Sequence, residues 1–529
     1  MKNIKTLLIL ALGVLVLGGC SKFLDSEPTI GLTDATFYKT KADAELAIVG
    51  CYDGIQQVYN GSGIDFPLLS EVLSDNCYGG TGSNDGYGYQ VIDEFNLAVS
   101  PSDVDILNGN WTQYYKAIYR MNMLLSKIDQ INWNGDDATK SNIEAQARFL
   151  RAYCYFDMVR IWEKVPLLLT PTTGNVPQAS VQDLYTAIAQ DLLFASQNGS
   201  DAVQPGRVNK HAAKALLARV YLFYTGYYKQ SDLVGLVTKA QALQGLEDVI
   251  ASTKYSLITD FKNLWPGASA TISGDSLVST YAGKDNKETV FAIKYNITSN
   301  YNGDADGNAW MTMNGLRSHA YSPYGLGWGA CTVNPDLYKA FSATDTRRNA
   351  SIIGFTEEKI KFDNSDQRDY SGYATKKYIP IALPDGTDVV TAAKGSNFMI
   401  GQYQDYVVMR YADVLLMAAE LGSTSAQADY DLVRTRAGQT SRPATIANIL
   451  DERRLEFAFE GIRYWDLLRQ GVDVAANAIA DSKTLYDGGV AKTKTILATN
   501  IIAKGGFQMI PKTPITRSSG VLVQNPGWN

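Results

Sequence analysis

The side chains that could recognise a small ligand are concentrated in two irregular, glycine-rich stretches of this 529-residue chain, about 61–100 and 262–400. Both stretches combine aromatic rings, which offer flat apolar surfaces, with amide and guanidinium groups that can exchange hydrogen bonds with a ligand. Loops this long are usually functional or disordered, and the many aromatic residues here favour function. The candidate ligand-binding residues are Asn76, Tyr78, Tyr87, Tyr89, Tyr301, Trp310, Arg317, Tyr321, Tyr324 and Trp328.

Other kinds of chemistry find little support in the sequence. The only histidines are His211 and His319, so a histidine-rich zinc site and an H-E-x-x-H motif are excluded. The motifs G-x-S-x-G and G-x-x-x-x-G-K are absent. Residues 302–307 begin like a calcium loop, but Met313 occupies the twelfth position, where a bidentate glutamate is required, so a turn is favoured. We therefore predict no metal and no cofactor, whereas the motifs leave catalysis by a pair of carboxylates open.

The overall composition excludes two broad classes of protein. A chain with 45% hydrophobic and 19% charged residues is typical of a globular protein and not of a disordered one. Lysine and arginine number 48 against 54 aspartates and glutamates, a net charge of −6, which argues against nucleic acid as the main partner because phosphate binding depends on basic clusters.

The first twenty residues have the pattern of an export signal. Lys2 and Lys5 precede an apolar run over 7–17, which is shorter than the roughly 20 residues that span a bilayer. The following Leu-Gly-Gly-Cys resembles a bacterial lipobox, which predicts a lipoprotein signal peptide over 1–19 and lipidation of Cys20. Ser21, rather than aspartate, follows the cysteine and allows residence in the outer membrane. An ordinary signal peptide with an incidental cysteine is the alternative.

Most of the remaining chain shows the three- and four-residue spacing of apolar side chains that predicts amphipathic helices. Alanine and aromatic residues at packing positions favour tetratricopeptide-like stacking of helix pairs, although no clean 34-residue repeat is present and an irregular bundle is the alternative. The prediction is a mostly α fold: a tetratricopeptide-like helical repeat scaffold over about 30–260 and 400–470, with a large irregular, loop-rich face that includes short strands such as 290–295 and 378–381. The predicted helices are 41–59, 103–129, 141–162, 180–195, 209–228, 238–252, 405–421, 425–437 and 445–469.

Two cysteines in the irregular stretches leave one question open. Cys77 and Cys331 both lie in glycine-rich segments, and export would permit a disulfide between them. The chain has no C-x-x-C, so neither a redox motif nor a metal clip is indicated.

Several segments of the chain resemble one known family. The stretch ERRLEFAFEGIRYWDLLR at 452–469 closely resembles the C-terminal signature of the SusD/RagB family, and MRYADVLLMAAE at 409–420 resembles a second family motif. The resemblance covers essentially the whole mature chain and also includes CSKFLD at 20–25, FLRAYCYF at 149–156, RVNK at 207–210 and QNPGW at 524–528. Read from its residues alone, the signature is a packing stripe with the charge pairs Arg453–Glu456, Glu460–Arg463 and Asp466–Arg469 at i,i+3 spacing.

The resemblance implies a cell-surface lipoprotein of the outer membrane with a single SusD-like domain over 20–529. In this family a tetratricopeptide-like scaffold presents an irregular face that binds a nutrient, usually a glycan, and the protein covers a SusC-like TonB-dependent transporter without performing catalysis. The candidate residues above would then contact an oligosaccharide or polysaccharide, with Trp310 and Tyr87 as the leading candidates. Two alternatives remain: capture of peptides or another non-glycan nutrient by the same scaffold, and glycoside hydrolysis, for which 54 acidic residues always offer carboxylate pairs.

Overall fold

The computed structural model describes residues 37–60, 64–297 and 306–528. In its first half, chain order gives α1 (Lys41–Val58), α2 (Phe66–Val72), β1 (Cys77–Gly79), α3 (Gly88–Asp93), α4 (Asn108–Lys127), α5 (Asp137–Trp162), α6 (Val181–Asn198), α7 (Lys210–Tyr228), α8 (Lys239–Ala251), α9 (Pro266–Ser269), β2 (Ala270–Ser273), β3 (Ser276–Ser279) and β4 (Thr289–Ile293).

The second half mixes short helices and strands. It contains α10 (Ala309–Asn314), β5 (Leu316–Arg317), β6 (Leu326–Gly327), β7 (Cys331–Val333), α11 (Pro335–Ala340), α12 (Thr346–Ser351), β8 (Ile352–Gly354), β9 (Tyr373–Thr375), α13 (Val389–Lys394), β10 (Tyr406–Arg410), α14 (Tyr411–Glu420), α15 (Ala426–Arg436), α16 (Ile446–Glu456), α17 (Arg463–Leu468), α18 (Val472–Ile479), β11 (Asp481–Asp487), β12 (Val490–Ile496), α19 (Ala498–Ala503) and α20 (Lys512–Arg517).

Packing of consecutive long helices forms the scaffold. Helix α5 packs on α6, α6 on α7 and α7 on α8, while α1 packs on α4. Alanines such as Ala145, Ala189 and Ala215 are fully or almost fully buried, so neighbouring helices can approach closely. The prediction of a mostly helical, tetratricopeptide-like fold is confirmed. None of the helices in the described part of the chain is long and apolar enough to cross a membrane.

The longest scaffold helix begins four residues earlier than predicted. Its N-cap is Asp136, whose side chain accepts a hydrogen bond from the Thr139 amide. Helix α4, by contrast, begins later than predicted, at Asn108 and not at 103.

Two predicted helices are interrupted. Residues 406–410 form β10, antiparallel to β4, and helix α14 begins only at Tyr411. The stretch 445–469 divides into α16 and α17, because Phe459 and Gly461 between them have φ angles of 66° and 75°, which a helix cannot include. The predicted strand at 290–295 is confirmed as β4, whereas Tyr378–Ile381 contributes only an isolated bridge from Ile381 to Tyr324.

Buried ion pairs between distant segments replace the first predicted signature pair. The Glu456 carboxylate binds Arg347 at 2.9 Å, Arg410 at 2.5 Å and also Arg436. Arg453 turns away from this cluster and pairs with an aspartate of α14 at 2.6 Å. The signature therefore joins separate segments of the chain instead of stabilising one helix.

The other two predicted pairs have different outcomes. Asp466 and Arg469 pair at 2.9 Å as expected. Glu460 pairs with other buried cations, whereas Arg463 donates two hydrogen bonds, of 2.7 and 2.9 Å, to Asp75. The signature thereby fixes the start of the first irregular stretch to the scaffold.

Candidate ligand-binding groove

A short antiparallel ladder aligns the two irregular stretches. Strand β1 pairs with β7 so that Cys77 faces Val333 and Gly79 faces Cys331. Beyond the strands, the Gly80 amide donates to Ala330 at 2.9 Å. A Cβ on Gly80 would lie 2.0 Å from a backbone oxygen of the opposite segment, so only glycine allows this approach. The ladder therefore carries residues 81–89 to the side of Trp328.

The two cysteines of this ladder are buried and free, as are Cys51 and Cys154. Burial and the adjacent Cys331 thiol raise the pKa of Cys77. The structure therefore shows two free thiols on neighbouring strands and no bond between them.

Arg368 holds the glycine-rich loop 81–88 from behind. Its guanidinium donates to the carbonyl oxygens of Ser83, Asp85 and Gly86 at 2.7–2.8 Å. The same guanidinium lies 4.0 Å from the centre of the Tyr87 ring, a cation–π contact. Four separate interactions on one buried side chain give this exposed loop a defined shape.

The loops enclose a groove of about 700 Å³. Three of the predicted ligand-binding residues line it, namely Tyr89, Arg317 and Trp328. The Trp328 side chain is 40% exposed, so part of its ring is available to a ligand. The remaining lining residues are Ile64, Thr81, Asp85, Gly86, Gly88, Asp103, Ile106, Ala309, Met313, Met399 and Ile400.

Polar groups at the groove are preorganised by contacts within the protein. The Arg317 Nε donates to the Asp366 carboxylate at 2.9 Å, and its Nη1 lies 3.5 Å from Asp85. Asp85 also accepts a hydrogen bond of 2.8 Å from the Gly82 amide. Burial raises the pKa of Tyr89, so its hydroxyl keeps its proton. The groove can therefore offer hydroxyl, guanidinium and carboxylate groups beside one indole face.

Four of the predicted site residues lie in the protein interior. Asn76 accepts a hydrogen bond of 3.0 Å from Arg454, and Trp310 is 2% exposed, packed against aromatic residues of the core. Tyr78 and Tyr324 are also buried, and their hydroxyls donate to carboxylates. Each of the four is held by packing or hydrogen bonding within the fold, although Asn76 Nδ2 and Trp310 Nε1 have no hydrogen-bond partner among the described residues. The structure therefore places Trp310, a leading candidate, in the core.

The other predicted residues lie outside the groove lining. Tyr87 is 43% exposed and sits at the rim, above Arg368. Tyr321 is half-buried, and its ring packs 5.6 Å from that of Phe362. Tyr301 and Cys20 lie outside the described residues, so their predicted roles stay predictions.

The sequence reasoning missed most of the groove's lining. Asp85 and Asp103 were passed over because isolated acidic residues in loops carry no pattern. Met313 and Met399 were passed over because methionine usually fills cores. Only the side-by-side placement of segments far apart in the chain brings these residues together. Among the described residues, no cluster of histidine, cysteine, aspartate or glutamate has the arrangement to hold a metal ion.

A stack of helix pairs that carries a looped, grooved face defines a helical-repeat binding protein. Two family models match this chain: SusD-like_3, described as "Starch-binding associating with outer membrane", over residues 22–222, and "SusD family" over residues 363–528. Together they span more than half of the sequence, and the chain belongs to the SusD/RagB family.

Relatives and solved structures agree with this assignment. A SusD-like protein of Bacteroides ovatus is 27% identical over 87% of this chain and 82% of its own length. SusD-like protein P2 of Formosa agariphila is 27% identical, with both chains fully covered. Among solved structures, a laminarin binding SusD-like protein superposes with a TM-score of 0.73 at 28% identity, over 93% of this chain and 100% of that one.

A second solved structure shows the same fold. Surface glycan-binding protein A from Bacteroides thetaiotaomicron, in complex with laminarihexaose, superposes with a TM-score of 0.72 at 24% identity, over 92% of this chain and 100% of that one.

Proposed function

We propose that this protein captures an oligosaccharide or polysaccharide at the cell surface and delivers it to a SusC-like TonB-dependent transporter of the outer membrane. The observation that carries the proposal is the groove, in which the half-exposed Trp328 ring stands beside Arg317, Asp85 and Tyr89. An indole face suits the C–H face of a pyranose ring, and the planar polar groups suit its hydroxyls. The laminarin-binding relative, at 28% identity, supports this choice of ligand class.

A lipid anchor at Cys20 is the proposed means by which the protein is held at the outer membrane. Lipidation of Cys20 would attach the mature chain by several acyl chains, which is sufficient for stable anchoring. Labelling of intact cells with a radioactive or clickable fatty acid, compared between the wild type and Cys20→Ser, tests this step. Loss of label and release of the variant into the soluble fraction is the expected result.

We further propose that the groove binds without cleaving. The Asp85 carboxylate already accepts a hydrogen bond from the Gly82 amide and lies 3.5 Å from Arg317, so it is held by contacts within the protein. Prolonged incubation with a retained glycan, followed by chromatography of the products, tests this proposal. Release of shorter sugars would contradict it.

The decisive experiment is affinity gel electrophoresis of the mature chain, carrying Cys20→Ser, against a panel of plant, microbial and host polysaccharides. Retardation by a glycan that is lost in Trp328→Ala would support both the ligand class and the groove. A pull-down from cell membranes with the lipidated protein tests the transporter, which should co-purify as an outer-membrane protein.

Capture of a non-glycan nutrient such as a peptide is the second candidate. It is favoured by the aliphatic and methionine side chains of the groove, since Ile106, Met313 and Met399 would suit apolar peptide side chains better than sugars. A peptide library tested by fluorescence polarisation separates the two candidates. Peptide binding without any glycan retardation would favour this second reading.

A further inference from the structure

Carboxylates outnumber cations around the groove. Arg317 is the only basic residue in its lining within the described ranges, and it already pairs with Asp366 at 2.9 Å and approaches Asp85 at 3.5 Å. Asp103, also in the lining, is half-buried, and its carboxylate makes no hydrogen bond or ion pair with other described residues. The lining therefore holds two carboxylates and one arginine, and that arginine is already paired with a third carboxylate, Asp366, outside the lining.

The cations behind the loop are engaged by other groups of the protein. The Arg368 guanidinium is occupied by three backbone carbonyl oxygens and by the Tyr87 ring. Lys494 lies within 3.2 Å of three carboxylates, those of Asp93, Glu94 and Asp369. Neither side chain is free to meet an anionic group of a ligand in the groove.

From this arrangement we infer that the groove selects uncharged glycans and excludes those that carry uronate or sulfate groups. The inference rests on the proposed glycan-binding function and names the class of glycan. A neutral sugar can donate its hydroxyls to Asp85 and Asp103, which as carboxylates only accept. A uronate or sulfate in the same place would bring a like charge against these groups and would find Arg317 already paired.

The test compares neutral polysaccharides with their own carboxymethylated derivatives, so that backbone and linkage stay the same and only charge differs. The mature chain with Cys20→Ser is run in affinity gels that contain one polysaccharide each. The expected result is retardation by at least one neutral polysaccharide and retardation at least about tenfold weaker by its derivative. Retardation by the neutral form should also be insensitive to salt between 50 and 500 mM, because no ion pair with the ligand is formed.

Failure of the inference is distinguishable from failure of the proposed function. Retardation by the derivative that equals or exceeds that of the neutral parent, or retardation by polygalacturonate or a sulfated galactan alone, would overturn the selectivity and leave glycan binding intact. An absence of retardation by every polysaccharide, neutral or charged, would remove the proposed function and the inference with it.

A charge-removing variant tests whether the named carboxylates cause the exclusion. Asp103→Asn keeps the size of the side chain and removes its charge, so retardation by the carboxymethylated derivative should increase at least about threefold relative to that by the neutral parent. Asp473→Asn is the matched control, because Asp473 is exposed on α18, away from the groove. If Asp103→Asn and Asp85→Asn both leave the selectivity unchanged, the carboxylates are not its cause and the inference fails.

Discussion

Two tryptophans of the same irregular stretch should respond to alanine substitution in opposite ways. Trp328 is 40% exposed and lines the groove, whereas Trp310 is 2% exposed and packs against aromatic residues of the core. Trp328→Ala should therefore weaken ligand binding and leave stability almost unchanged. Trp310→Ala should instead destabilise the fold, since a large buried ring leaves a cavity when it is removed.

The size of the binding effect follows from the exposed fraction of the ring. A tryptophan side chain contributes roughly 250 Å² when fully accessible, so 40% exposure leaves about 100 Å² for a ligand to cover. At about 25 cal/mol per Å², complete coverage would contribute about 2.5 kcal/mol, or about 60-fold in Kd. A sugar ring covers less than the whole exposed area, so we expect a loss of about ten- to 60-fold for Trp328→Ala.

The assay pairs isothermal titration calorimetry, with the glycan found by affinity electrophoresis, with urea unfolding of both variants. Trp310→Ala should reduce the free energy of unfolding by about 3–5 kcal/mol, whereas Trp328→Ala should change it by less than about 1 kcal/mol. Unchanged affinity in Trp328→Ala, with the fold intact, would refute the assignment of the groove. A stable Trp310→Ala variant that has lost binding would refute the placement of Trp310 in the core.

Three further predictions concern residues outside the groove lining. Burial raises the pKa of Glu71 from 4.5 to about 7, so the stability gained from its protonation is complete below about pH 4.5 and is lost as the pH rises through 7. Relative to Glu71→Gln, the wild type should therefore lose about 3 kcal/mol of unfolding free energy between these pH values in urea titrations. The control is Asp275→Asn, at an exposed turn, whose unfolding free energy should change with pH as that of the wild type does. The same pH dependence in Glu71→Gln would contradict the reasoning. Arg368→Ala should speed amide hydrogen exchange across residues 82–88 and weaken glycan retardation about tenfold. The reason is that the loop loses three hydrogen bonds of roughly 1 kcal/mol each. Unaltered exchange would show that other contacts hold the loop. Glu456→Gln removes the carboxylate charge that three buried arginines share. It should lower the free energy of unfolding in urea by about 3–5 kcal/mol. A loss below about 1 kcal/mol would mean that the network is dispensable.

The helices were predictable because their signals are local. Apolar spacing along 141–162 and 209–228 predicts the bounds of α5 and α7 to within a few residues. The buried face of an amphipathic helix can be recognised from the spacing of its own apolar residues. The helix predicted over 405–421 is wrong in its first residues, because a short apolar run that contains Val407 and Val408 suits a strand as well as a helix. Only pairing with β4 decides in favour of a strand there.

Burial within the loops was not predictable, because it depends on partners far along the chain. Tyr78 and Tyr87 stand nine residues apart in one glycine-rich stretch, yet the first is buried under the β11–β12 hairpin and the second is exposed at the groove rim. Tyr78 lies in β1, whose partner strand is about 250 residues away, and its hydroxyl reaches Asp481. No spacing rule within 61–100 contains that information.

Contacts between distant segments also connect the signature helices to the groove. Arg463, in the segment that identifies the family, holds Asp75, and the residues after Asp75 form β1, which aligns the loop of Asp85 beside Trp328. Residues of the signature segment thus position the start of a loop whose exposed side chains take no part in these ion pairs. Substitutions at Asp85 or Asp103 can therefore change the ligand while the scaffold is kept. The reason is that the side chains of the buried ion pairs are not those that line the groove.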